Sequence, residues 1–142
     1  MAAGRPDRQP DVDLPFDHEP DAPRRARREI RRLVPDPDDP IADAVLLSAS
    51  ELVTNTLRHT DHGGTMRAWD PQPDVPLRLE VEDHDPTIPT VQTNPDPERP
   101  GGRGLKLVDD VADDWGVQPT DSGKVVWAEF DRNQRRPDAK SP

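Results

Sequence analysis

The apolar residues of this chain change their spacing along its length, from alternate positions to every third or fourth and back again. Val12 to Phe16 alternates weakly and predicts a short strand, which Pro15 confines to the edge of a sheet. Ala22, Ala26, Ile30, Leu33 and Val34 then share one side of a helix, with Asp21 placed to cap it and Pro23 suited to its first turn. The segment Pro35-Asp-Pro-Asp-Asp-Pro40 ends that helix. A second helix is predicted from about Ile41 to His59, because Ile41, Val45, Ala49, Leu52, Val53 and Thr56 cluster on one face. Gly63-Gly64 breaks it.

The period then returns to two. Thr65 to Trp69 reads as a short strand, and Asp70 to Pro76 as a proline-rich hairpin connection. Leu77, Leu79 and Val81 alternate with Arg78, Glu80 and Glu82, the signature of a half-buried strand that ends at Asp83. Residues 84 to 103 hold five prolines and almost no periodicity, and a loop of that length is usually functional or mobile. A third helix from about Gly104 to Ala112 offers Leu105, Val108, Val111 and Ala112 to the core. Trp115-Gly-Val117 and Val125 to Phe130 read as two closing strands around Asp121-Ser-Gly123, with Trp115 and Trp127 as core residues. The element order predicts an α/β two-layer sandwich: three helices on one face of a mixed, mainly antiparallel sheet.

Composition narrows this picture. The chain has 142 residues, 30% of them hydrophobic and 4% aromatic, with 19 prolines, enough for one small core. Residues 1–11 and 132–142 are polar and aperiodic and are expected as disordered tails around one domain at 12–131. A net charge of −10 argues against nucleic-acid binding as the main task. Arg24 to Arg32 is a local exception, with six arginines and one glutamate. Such a run is most often a solvated helix face. The sharper alternative is a docking surface for an acidic protein partner. Cysteine is absent, which excludes disulfides and thiol chemistry. No apolar run approaches the roughly 20 residues of a membrane span, and a cytoplasmic protein without a membrane partner is expected.

The polar residues that stand out are ordered. Glu51 and Asn55 lie one turn apart on the second helix, at the border of its apolar stripe. Asp83 closes a strand, and Gly101-Gly-Arg-Gly-Leu105 enters the third helix. Each part alone is a weak signal: Glu-x-x-x-Asn occurs on any solvated helix, and Asp83 is most simply a turn residue. His59 and His62 lack a third convergent ligand, so a zinc site is not expected. The four parts in this order are far more specific.

Taken together they resemble the histidine-kinase-like (GHKL) ATPase superfamily, whose domains have the Bergerat fold. Within it, the chain is similar to the small bacterial anti-sigma-factor serine kinases and their actinobacterial ATP-binding relatives. Ser50-Glu-Leu-Val-Thr-Asn-Thr-Leu-Arg-His59 looks like the N-box, Val81-Glu-Asp83 like the start of the G1 box, and Gly102-Arg-Gly-Leu-Lys-Leu-Val108 like the G2 box. Asp114 to Val117 and Gly123 to Phe130 match the closing strands, so the resemblance spans about Asp13 to Phe130.

This resemblance implies ATP and Mg²⁺ as ligands. It makes Asn55 the protein ligand of Mg²⁺, Glu51 the general base, and Asp83 the acceptor for the adenine amino group. Gly102, Gly104 and Leu105 belong to the phosphate-binding entrance of the third helix. Residues from about Thr87 to Arg103 would form a mobile lid, with either Arg99 or Arg103 reaching the γ-phosphate. The implied partners are a sigma factor and an anti-anti-sigma (STAS-type) protein, and a homodimer is expected. The chain departs from the pattern after Asp83. Where the family has Asp-x-Gly-x-Gly, it reads Asp83-His-Asp-Pro-Thr87. A catalytically weak or inactive ATP-sensing module is the alternative function.

Overall fold

The computed structural model describes residues 4–70, 75–84 and 102–132, with the side chains of 102–104 excepted. Five strands and three helices follow one another as β1 (Val12–Phe16), α1 (Ala22–Leu33), α2 (Ala42–His59), β2 (Gly64–Trp69), β3 (Leu77–Asp83), α3 (Gly102–Val111), β4 (Asp114–Pro119) and β5 (Lys124–Phe130). The sheet order is β1-β2-β3-β5-β4. All four pairings are antiparallel, so the sheet expected to be mixed holds no parallel pair among the described strands. The β4–β5 hairpin docks through β5 rather than β4, and this leaves every neighbour running the opposite way.

The apolar stripes read from the sequence form one core. Ala22, Ala26 and Ile30 of α1, Val45, Ala49, Leu52 and Val53 of α2, and Val108 of α3 pack with Phe16, Met66, Leu79, Val81, Val126 and Phe130 of the sheet. Each of the buried Val, Leu, Ile, Met and Phe side chains contributes about 1.5–3 kcal/mol relative to exposure, and the alanines less. The central helix, α2, touches α1, α3 and the three middle strands. It is thereby held against the sheet along its whole length. Asp21 stands at the N-cap of α1 but makes no side-chain capping bond, while Pro23 sits in the first turn as expected.

The other face of the sheet differs from expectation. Arg78 and Glu80, assigned to the solvated side of a half-buried strand, are only 6% and 1% exposed. Arg78 donates to Glu80 (Nε to Oε2, 2.8 Å) and to Glu129 on β5 (Nη1 to Oε2, 2.7 Å), and its guanidinium lies over the Trp127 ring, 4.7 Å from the centroid. Residues 4–11, set aside as tail on composition, cross this face. Arg5 pairs with Glu80, the Gly4 N–H donates to Glu129, the Trp69 indole N–H donates to the Arg8 carbonyl, and Arg5 stacks 5.6 Å from the Trp69 ring centroid. Two guanidiniums and two carboxylates thus alternate beneath the segment. Burial opposes ionisation of Glu80, but hydrogen bonds from Arg5 and Arg78 outweigh it and hold its carboxyl below the usual range. Trp127, expected in the core, belongs to this polar layer. Its ring lies across Gly116 of β4, where an added Cβ would come within 2.9 Å of it.

At the far end of β5, Arg132 makes two bonds to the Asp39 carboxylate (3.0 and 2.6 Å), tying the strand to the turn that opens α2. Residues 133–142 of the expected C-terminal tail lie outside the described residues.

Candidate functional site

Glu51 and Asn55 occupy the middle of α2 because its apolar face is buried on both sides of them. Leu52, Val53 and Thr56 are buried, while Glu51 and Asn55 are half-buried at the rim. The Asn55 Oδ1 atom is itself buried and has no hydrogen-bond partner among the described residues. An unsatisfied buried acceptor costs about 1–3 kcal/mol, so native folds rarely keep one without a use. Its neighbours are satisfied locally: Thr56 donates to the Leu52 carbonyl (3.1 Å) and Thr60 to the Thr56 carbonyl (3.1 Å), which closes the helix. His59 and His62 are exposed.

Asp83 ends β3, a strand that α2 packs against, and is 2% exposed. Its backbone pairs with Gly64 on one side and Lys124 on the other. The Lys124 ammonium is ion-paired with the Asp83 carboxylate. Gly123 makes this close approach possible, since a Cβ there would lie 2.0 Å from the Asp83 carbonyl oxygen. Gly123→Ala is therefore expected to force β5 away from β3 and destabilise the fold by about 1–3 kcal/mol, an overpacking cost to be read in a thermal melt. An unchanged melting temperature would mean the turn absorbs the methyl group freely.

The third part is α3, which packs against α2 and begins at Gly102, two residues earlier than expected. Gly102, Arg103 and Gly104 therefore lie in its first turn, where the leading N–H groups have no intrahelical partner and the helix dipole favours an anion. No acidic residue stands in that turn to occupy it. Leu105 packs against the core and anchors the helix. Of the expected residues, Glu51, Asn55 and Asp83 are placed on elements that meet, while the Arg103 side chain, Arg99 and residues 87–101 of the expected lid fall outside the described residues. The last two residues of that lid, Gly102 and Arg103, belong to α3 instead. The sequence reading missed Lys124. Its position after Gly123 is visible in the sequence, but its partner is 41 residues away and only strand register reveals it.

A family model described as a histidine kinase-like ATPase domain matches residues 16–130. The chain belongs to this family. The antiparallel sheet with its helices is the α/β sandwich of the ATP-binding GHKL domain, and the match runs from the last residue of β1 to the last of β5. No curated protein matches the chain in a sequence search. No described helix is long and apolar enough to cross a membrane.

The residues fit the ligands that a histidine kinase-like ATPase domain implies. Mg²⁺ takes few protein oxygens and keeps phosphate and water oxygens, and the orphaned Asn55 Oδ1 is a neutral oxygen of the required kind. A nucleotide's phosphates suit the anion-favouring start of α3. Two grooves elsewhere do not adjoin these residues. One of about 600 Å³ lies on the far face of the sheet among Arg5, Arg8, Arg67 and Trp69. The other, of about 300 Å³, runs along α1 between Arg24, Arg27, Arg28, Arg31 and Leu46.

Proposed function

We propose that the chain is a Mg-ATP-dependent serine/threonine kinase of the anti-sigma-factor type, which holds a sigma factor and phosphorylates an anti-anti-sigma (STAS-type) partner. The observation that carries this reading is the Glu51–Asn55 pair on α2, with the orphaned Asn55 oxygen one helical turn from a half-buried carboxylate. Bound Mg²⁺ would neutralise charge on the β- and γ-phosphates. Asn55 would hold it, the first turn of α3 would receive the phosphates, and Asp83 would accept a hydrogen bond from the base's amino group. Glu51 would take the proton from the incoming hydroxyl as its oxygen attacks phosphorus. Arg99 or Arg103 would complete the charge on the γ-phosphate side.

A homodimer is part of the proposal, and the α1 surface supports a protein partner. Arg25 and Arg32 are paired with Glu19 and Glu29, but Arg24, Arg27, Arg28 and Arg31 make no ion pair among the described residues. Their spacing lines them along one side of the helix beside Leu46. On a chain of net charge −10, such a face selects an acidic partner surface. The altered sequence after Asp83 favours a second reading, a nucleotide-sensing module that binds a partner without transferring phosphate.

Transfer of label from ATP to an anti-anti-sigma protein separates the two. Incorporation on a partner Ser or Thr supports the kinase, and tight ATP binding without transfer to any such protein supports the sensor. Asn55→Ala is expected to weaken Mg-dependent ATP binding at least about tenfold, the scale of losses seen even when groups behind a metal ligand are removed. Because the substitution also deletes an unsatisfied acceptor, stability without nucleotide should stay level or rise. Calorimetry showing the same ATP affinity with and without Mg²⁺ in both proteins would remove Asn55 from the metal.

A further inference from the structure

Lys124 opens β5 directly opposite Asp83, and its ammonium pairs with the one carboxylate assigned to the nucleotide base. The two side chains differ in access. Asp83 is almost wholly buried, packed on one side against the chain at Gly123, whereas the Lys124 side chain is 22% exposed. Lys124 is thus the more accessible member of the pair.

We propose that Lys124 reads the base together with Asp83, an inference that rests on the nucleotide reading above. Lysine carries three N–H donors and no acceptor, so an ammonium bonded to Asp83 keeps donors for a second partner. An ionised carboxylate is an acceptor only. The pair presents an acceptor beside a donor. The edge of adenine offers the complement, an amino donor at C6 beside the N1 acceptor. Asp83 accepts from the amino group and Lys124 donates to N1. Guanine in the same pose sets its C6 carbonyl against the carboxylate and its N1–H against the ammonium, so both contacts turn repulsive. Base choice then lies in two residues from different strands, neither of which can discriminate so sharply alone.

A bland role for Lys124 also exists, namely neutralising a buried aspartate. That role predicts a loss of stability, or of affinity for all nucleotides alike, when the lysine is removed. Base reading predicts a loss confined to ligands whose base has an N1 acceptor. The test is calorimetric binding of ATP, GTP and 1-deaza-ATP, whose ring carries C–H at position 1, to the full chain and to Lys124→Met at saturating Mg²⁺. The wild type should bind 1-deaza-ATP about tenfold more weakly than ATP, the effect of one charged hydrogen bond. Lys124→Met should bind both equally and should reject GTP less strongly. Equal affinity of the wild type for ATP and 1-deaza-ATP overturns the inference, whether or not the variant folds. Tighter ATP binding by Lys124→Met also overturns it, because the lysine would then be a competitor for Asp83. Failure of the wild type to bind ATP at all overturns the nucleotide reading and this inference with it.

Discussion

Glu51→Ala should lower phosphate transfer by about 10²–10⁴-fold, the usual contribution of a general base, while leaving ATP affinity close to that of the wild type. The separation follows from where the charge is needed. Glu51 lies one turn from Asn55 on α2, half-buried at the rim of the core, and in the proposed reading its carboxylate serves the incoming hydroxyl rather than the nucleotide. A group that acts only as the hydroxyl attacks contributes to the transition state and not to the bound ground state. Transfer to an anti-anti-sigma protein and calorimetric ATP affinity, measured on both proteins, test the two halves independently. A variant that transfers at the wild-type rate would show that Glu51 is not the base, and Asp85 would be the next acid to replace. A variant that loses ATP affinity in parallel with rate would place Glu51 in nucleotide or metal binding instead.

Arg78→Met should cost the fold about 3–5 kcal/mol near neutral pH, the penalty for removing one partner from a buried ionic group. Glu80 would remain almost fully buried with Arg5 as its cation, itself 53% exposed and partly screened by water, and the buried Glu129 would lose its bond from Arg78. The stacking of the guanidinium on Trp127 would be lost as well. Arg5→Met should cost clearly less for the same reason of exposure. Chemical denaturation of the three proteins checks the ranking. A loss below about 1 kcal/mol for Arg78→Met would mean that water enters the layer and replaces the arginine.

This network also sets a pH dependence. Glu80 has its carboxyl lowered in the folded state from an ordinary value of 4.5. Its contribution is therefore complete above that ordinary value and is lost as pH falls through the lowered folded one. The difference in stability between wild type and Arg78→Met should accordingly shrink in acid, where the wild type loses the same interactions.

Most of the fold was legible because it rests on periodicity within single elements. The 18-residue helix α2 carries an unbroken apolar stripe from Val45 to Thr56, and one-sided burial is what such a stripe encodes. The start of α3 was less legible. Glycines at 102 and 104 carry no apolar signal, so the helix reads as beginning two residues late. The order of Glu51, Asn55, Asp83 and the glycine entrance was likewise present in the sequence, since each residue lies at an element end or a stripe border that local pattern defines.

Register and coverage were not. Alternation in β3 correctly separates Leu77, Leu79 and Val81 from Arg78, Glu80 and Glu82, because successive side chains point to opposite faces of any strand. It cannot say what covers the second face. Arg78 and Glu80 are buried because β5 supplies Glu129 and Trp127 beside them and residues 4–8 cross above, contacts between segments up to 125 positions apart. The Asp83–Lys124 pair is the same kind of fact. Sequence placed an acid at the end of one strand and a lysine at the start of another. Only antiparallel pairing of β3 with β5 sets them side by side, since backbone hydrogen bonding, not the identity of either residue, determines which positions meet.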